Sequence, residues 1–204
     1  MYQRYSSEST TRELQACEKR NHYRIDNLER IMVLGALGAG KTCFSIDLSK
    51  TTSLPIIHLD REFLLPGYAK PDPFEWLQRV QTLAASPRWI MDGNYFDVVD
   101  CRLARADIVF HLDLPQSLSV LRIVRRMLTN FGKVREDTGL RERFHFLHLV
   151  HAATYKFRKR SKFRSTLKFA RSQGIPVIRF KKTEEIEVFL RSIATSYACN
   201  HNKN

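Results

Sequence analysis

The 204-residue sequence predicts an α/β protein built on a parallel sheet, and three observations carry that expectation. Short, wholly apolar runs recur along the chain, stretches of helical periodicity separate them, and a Gly or an Asp closes most of the runs. Strands buried on both faces read as continuous apolar runs, and strands that alternate with helices need crossover connections, which pair them in parallel.

Taken in order, Ile31-Met32-Val33-Leu34 is the first such run and leads directly into glycines. Phe44 and Leu48, four residues apart, mark a helix opened by Gly40 and Lys41. Pro55-Ile56-Ile57-His58-Leu59 reads as a second strand ending on Asp60. Asp72-Pro73-Phe74-Glu75 supplies an N-cap, a proline at the first helical position and a glutamate three residues after the cap. Trp76, Leu77, Val80, Leu83 and Ala84 continue that helix. Trp89-Ile90-Met91 is a third strand ending on Asp92, and Ile108 to Leu112 a fourth ending on Asp113. Pro115 starts a long helix carrying Leu118, Leu121, Val124 and Leu128, and a further helix runs from about Phe144 to Phe157. Pro176 to Phe180 is the fifth strand, and Ile186, Phe189, Leu190 and Ile193 mark the last helix. No repeat or linker divides residues 30–195, which are read as one domain between a polar extension, 1–29, and a tail, 196–204.

Composition narrows the class. A 43% hydrophobic content is ample for a core, and no stretch approaches the roughly 18 apolar residues of a membrane span. Cys17, Cys43, Cys101 and Cys199 are scattered without metal-ligand spacing, and the first 29 residues lack an apolar signal region, so a reducing cytoplasm is the expected setting. The net charge of +13 invites a nucleic-acid reading. Its distribution is uneven: residues 1–115 carry 14 Lys and Arg against 15 Asp and Glu, whereas residues 116–204 carry 20 against 6.

Gly35-Ala36-Leu37-Gly38-Ala39-Gly40-Lys41-Thr42 matches G-x-x-x-x-G-K-[ST] in full, between a predicted strand and a predicted helix. Glycines in this order let backbone N–H groups from Gly35 through Cys43 converge on phosphate oxygens at a helix N-terminus. Lys41 reaches the β- and γ-phosphates, and Thr42 offers a hydroxyl to Mg²⁺. ATP and Mg²⁺ are therefore the expected cofactors. No NKxD-type base-reading motif points to a GTPase, and Asp92 is followed by Gly93 rather than by a water-activating glutamate. Asp92, at a strand end, is the natural carboxylate for a Mg²⁺ that keeps several waters, or else a turn cap. Asp60 can take the proton of a hydroxyl acceptor, a role no phosphate acceptor would need; a solvated loop position is its plainer alternative. Asp113, leading into Leu114-Pro115, suits a structural role at a helix start.

With the phosphate loop, His58-Leu59-Asp60, Trp89-Ile90-Met91-Asp92-Gly93-Asn94-Tyr95, Arg102-Leu103, Ala106-Asp107 and Leu112-Asp113-Leu114-Pro115 in place, the chain from about Arg30 to Leu190 resembles the adenylate-kinase-related P-loop proteins labelled DNA topology modulation (FlaR-like) proteins. The resemblance implies a P-loop NTPase with a five-stranded parallel sheet of nucleoside-monophosphate-kinase type, helices on both faces, and a mobile basic lid at about 128–145. Arg122-Ile123-Val124-Arg125-Arg126 fits the R-I-V-x-R-R helix of adenylate kinases until Met127 replaces the last arginine. By that resemblance Arg122 lies against adenine and Arg126 meets the phosphates. Two departures set it apart from true adenylate kinases: Asp92-Gly93-Asn94-Tyr95-Phe96 stands for their D-G-F-P-R, and Asp60-Arg61-Glu62-Phe63 for their T-G-D-x-x-R. Arg102 either replaces the missing acceptor arginine or is a surface residue.

Between Arg122 and Lys182 there are 18 Lys and Arg against 3 acidic residues, more than one nucleotide requires. Phe157, Phe163 and Phe169 interleave with them, as on a weak nucleic-acid-binding surface; the plainer reading is amphipathic helices with aromatics inward. His145, His148 and His151 adjoin the apolar stripe Phe146, Leu149, Val150, Ala153 and read as packing rather than a metal site. The expected function is an ATP- and Mg²⁺-dependent phosphotransferase acting on a small molecule, with a nucleotide-gated nucleic-acid-binding regulator and a slow ATPase as alternatives.

Overall fold

The computed structural model describes residues 28–64, 70–129 and 153–201, with side chains as far as Thr195 in the last helix. Five parallel strands form one sheet: β1 (Arg30–Gly35), β2 (Ile56–His58), β3 (Trp89–Asp92), β4 (Ile108–Leu112) and β5 (Val177–Phe180), in the spatial order β2-β3-β1-β4-β5. The strand order reverses at β1, so the loop that follows β1 sits at the crevice where such sheets bind ligands.

The helices are α1 (Lys41–Thr52), α2 (Leu59–Phe63), α3 (Pro73–Ala85), α4 (Val99–Leu103), α5 (Gln116–Thr129), α6 (Arg160–Ser172) and α7 (Thr183–His201), with a further helical stretch over 153–158. They cover both faces of the sheet. Ile31 and Val33 point to one side, where Phe44 of α1, Phe110, Phe180 and Phe189 of α7 share a core. Met32 and Leu34 point to the other, with Trp89, Met91, Leu103 of α4, and Phe163 and Leu167 of α6. Period-2 alternation inside a wholly apolar run thus supplies two cores, as a doubly covered sheet demands.

The strands fall where expected, with β2 shorter than expected: Leu59 and Asp60 leave it to begin α2. Asp72 caps α3 by accepting from the amides of Phe74 (2.8 Å) and Glu75 (3.3 Å), and Trp76, Val80 and Ala84 are its buried face. Helix α5 turns a different face inward from the one its leucines mark. Ser119, Ile123 and Met127 are buried, whereas Leu121 and Leu128 are 63% and 72% exposed. The cause is the phosphate loop: a Cβ on Gly38 would lie 2.4 Å from the Ser119 carbonyl oxygen and 2.8 Å from Ile123, so the helix approaches on its small residue. Helix α6 goes unread in the sequence, although Phe163, Thr166, Leu167 and Ala170 have helical spacing and are its buried face. Phe163 does turn inward, but Phe157 is 82% exposed and Phe169 45%, so two of the three aromatics in the basic run contradict the inward reading. The expected lid, apart from its first two residues, and His145, His148 and His151 lie outside the described residues.

Candidate nucleotide-binding site

The site is built at the C-terminal ends of β1 and β3. Gly38 and Gly40 adopt φ of 76° and 92°, a left-handed conformation that side-chain-bearing residues adopt only with strain, and the chain then enters α1. This helix has no side-chain N-cap and no acidic residue in its first turn, so its N–H groups and positive dipole end remain available to an anion. Lys41 folds back over the loop, its ammonium donating to the carbonyls of Gly35 (3.1 Å) and Ala36 (3.3 Å). Thr42 is half-buried beside it, and Cys43 is an exposed free thiol in the same first turn. Arg122 reaches across from α5: Nη1 donates to the Ala39 carbonyl (3.2 Å) and Nη2 to Thr183 Oγ1 at the start of α7 (3.0 Å). Arg126 is half-buried one turn further along α5, and Arg125 is exposed.

Asp92 lies at the end of β3, directly beside His58 at the end of β2. Its carboxylate is buried, and Oδ2 stands 3.0 Å from His58 Nδ1. A carboxylate can only accept, so Nδ1 carries the proton of this bond. The Asp92 Oδ1 atom takes no part in it. Among the described residues no three His, Cys, Asp or Glu side chains form a metal cage. Mg²⁺ does not need one: it binds through one or two protein oxygens, phosphates and water, a demand that Thr42 and Asp92 match in kind.

Sequence reasoning passed over the side chain that ties the two strand ends together. Asn94 is buried; its Oδ1 accepts from the Gly35 amide (3.1 Å), and its Nδ2 donates to the Gly35 carbonyl (2.8 Å) and to Tyr155 Oη (2.7 Å). One amide group thus reads both backbone groups of the first loop residue and joins them to the helical stretch over 153–158. No motif advertises this, because the partner is a backbone 59 positions away.

Arg102 is neither an acceptor-binding arginine nor a surface residue. It is fully buried, with Nη1 on the Gly93 carbonyl (2.9 Å) and Nη2 on those of Asn94 (2.7 Å) and Tyr95 (3.0 Å). Burial lowers its pKa to about 10, still high enough to keep the guanidinium charged at neutral pH. Asp60 sits in the first turn of α2 rather than on a strand end, and its Oδ1 accepts from Tyr95 Oη at 2.8 Å. Burial, and then the Asp60 charge, push the Tyr95 phenol well above its ordinary pKa, so it stays a donor. Asp113 is structural by ion pairing rather than at a helix start: Lys156 reaches its Oδ1 (2.7 Å) and Arg179 Nε its Oδ2 (2.7 Å).

Residues 29–64, which span β1, the loop, α1, β2 and α2, match a family model described as isopentenyl transferase. No curated protein matches the sequence. Among solved structures, the chain is similar to shikimate kinase from Acinetobacter baumannii in complex with shikimate, with a TM-score of 0.52 and 14% identity, covering 86% of this chain and 96% of that one. Deoxyadenosine kinase from M. mycoides with bound dCTP is similar at a TM-score of 0.45 and 14% identity, covering 81% and 99%. At such identity the likeness establishes the fold alone, a parallel α/β sheet covered on both faces that this chain shares with shikimate kinase. Among the described residues no helix is long and apolar enough to cross a membrane.

Proposed function

We propose that the chain is a phosphotransferase that uses ATP and Mg²⁺ to phosphorylate a small molecule. The observation that carries this reading is the phosphate loop itself: two left-handed glycines and a lysine directed onto the loop, at an uncapped helix N-terminus, with an arginine reaching in from the helix opposite. Residues Gly35 to Cys43 would cradle the phosphates, and Lys41 would exchange its carbonyl partners for phosphate oxygens. Thr42 and Asp92 would hold Mg²⁺, which when bound neutralises charge on the transferred group. Arg122, already on the loop, and Arg126 would stabilise the charge that develops on the γ-phosphoryl group. Asp60 would accept the proton of an attacking hydroxyl. The decisive measurement is ATP affinity: Lys41→Ala removes a charge-assisted contact and should weaken binding on the order of 10- to 100-fold. Undiminished affinity would remove the basis of the reading.

The resemblance to the DNA topology modulation proteins supplies a second reading, a nucleotide-gated nucleic-acid binder, and one observation favours it: Phe157 is 82% exposed, three residues before the Lys- and Arg-rich helix α6. Gel shifts with and without ATP separate the two, since gating requires the nucleotide to change affinity for the polyanion. A slow ATPase with no acceptor would hydrolyse ATP at a rate that no added compound raises.

A further inference from the structure

The geometry points to an uncharged, hydroxyl-bearing acceptor, not a phosphorylated one, bound beside the ends of β2 and β3; this rests on the phosphotransferase reading above. An acceptor phosphate must be met by cations. On this side of the described structure Arg102 and Arg79 are committed elsewhere, and Arg61 stands in α2 between the carboxylates Asp60 and Glu62. Arg102, seven to nine residues after the loop it serves, spends both terminal nitrogens on buried carbonyls and is wholly inaccessible. Arg79 pairs with Glu62 at 2.7 Å, and Arg61 is exposed. What gathers at the ends of β2 and β3 instead is a set of carboxylates and phenols. Asp92 is held by His58, Asp60 accepts from Tyr95, and Tyr155 accepts from the Asn94 amide that clasps Gly35.

These groups form one neighbourhood: the Asp60 charge is felt at both phenols, Tyr95 and Tyr155, and Tyr155 is one hydrogen bond from the loop-binding amide. The Tyr95 ring is wedged against Phe63 (4.9 Å) and Trp76 (5.2 Å), so its hydroxyl stays on Asp60 Oδ1 and fixes the carboxylate, leaving Oδ2 outside the pair. A fixed carboxylate in such surroundings repels an anionic acceptor and accepts from a hydroxyl. In the reaction, the acceptor oxygen bonds to the γ-phosphorus of ATP while the bond from that phosphorus to the β–γ bridging oxygen breaks. ADP departs with the electron pair, and the hydroxyl proton passes to Asp60 and then to solvent.

The test follows ADP release by the full-length protein with matched pairs: a nucleoside against its monophosphate, and a sugar or cyclic polyol against its phosphate. Stimulation tenfold or more by an unphosphorylated member is expected, with none by its phosphate. Stimulation by phosphorylated members alone, or by no neutral compound while ATP still binds, overturns the assignment. ATP binding is measured in parallel, so failure of the nucleotide reading is seen separately. With the active neutral acceptor, Asp60→Asn should lower kcat roughly 100- to 10,000-fold at unchanged ATP affinity and remove the acidic limb of the pH–rate profile. Tyr95→Phe should keep that limb. An Asp60→Asn variant that retains both rate and pH profile contradicts the role of the carboxylate.

Discussion

The loops that follow β1 and β3 stand side by side, both rich in special backbone geometry, and they are wired with opposite polarity. After β1, glycines at 38 and 40 take left-handed conformations and the chain presents N–H groups at the start of α1, a setting for an anion. After β3, Gly93 has a φ of 135° and the chain turns three successive carbonyls onto the buried guanidinium of Arg102, a setting that holds a cation belonging to the protein itself. The first loop is organised by its own residues; the second is organised by a residue several positions away. Asn94, at the apex of the second loop, then clasps the first residue of the first. The donor loop is therefore braced by a loop that is itself held by a buried cation.

The sharpest way to break this contrast is to remove the cation. Arg102→Met leaves the carbonyls of Gly93 and Asn94 buried without that donor, while the Tyr95 carbonyl keeps the Val98 amide, and unpaired buried groups cost about 1–3 kcal/mol each. A loss of roughly 4 kcal/mol in urea unfolding is expected; a change under about 1 kcal/mol would show that the loop does not depend on the guanidinium. The matching change in the first loop is Gly38→Ala. Its methyl would meet the Ser119 carbonyl at 2.4 Å while forcing an L-residue into positive φ, a combination worth roughly 3 kcal/mol. It should also loosen α5 and lower ATP affinity, which nucleotide titration would read.

A third buried polar group shows what happens without backbone dipoles. His111 of β4 stacks on Phe163 at 5.0 Å, and its Nδ1 is buried with no partner. Burial lowers its pKa to about 4, with Arg179, Lys156 and Arg171 adding to the effect and Asp113 opposing it. The folded-state value lies below the unfolded value of about 6.5, so the unfolded chain binds the extra proton and stability falls as pH drops through that window. Roughly 2–3 kcal/mol should be lost between pH 6.5 and 4, and His111→Phe should flatten that slope. Asp113, held below its ordinary pKa by Lys156 and Arg179, sheds its contribution only at lower pH still. An unchanged slope in the variant would locate the acid sensitivity elsewhere.

What the sequence discloses follows the same division. Strands β1, β3 and β4 are visible as apolar runs because burial on both faces leaves no polar alternation, and the phosphate loop is visible because its glycines act where they stand. The inward face of α5 is not visible, since it is chosen by close approach to Gly38 rather than by hydrophobicity, which is why Ser119 is buried and Leu121 exposed. Helix α6 hides among charges, although four apolar or small residues keep its register. Of the site residues, Lys41 and Arg122 both donate to loop carbonyls, Arg122 from the helix opposite. His58, Asn94 and Tyr155 take their roles from partners 34 to 61 positions distant, which no local pattern encodes.

The smallest effect tests the brace between the two loops. Asn94→Ala removes the bonds to the Gly35 amide and carbonyl and to Tyr155, but Lys41 also donates to the Gly35 carbonyl and can keep that atom partnered. The loss in stability should therefore be near 1–2 kcal/mol, mainly from the unpaired Gly35 amide. Tyr155→Phe removes the third of these bonds, with an expected change of about 1 kcal/mol. In the double variant the Tyr155 change should add almost nothing, because Asn94 is the partner through which the phenol reaches the loop. Additive losses would mean that Tyr155 acts through other contacts and that the helical stretch over 153–158 is not tied to the phosphate loop by this amide. An Asn94→Asp variant sharpens the point further: a carboxylate can still accept from the Gly35 amide but cannot donate to its carbonyl, and two oxygens would face each other across 2.8 Å. That variant should be less stable than Asn94→Ala at neutral pH and should recover as the carboxyl is protonated, a pH dependence opposite in sign to that of His111.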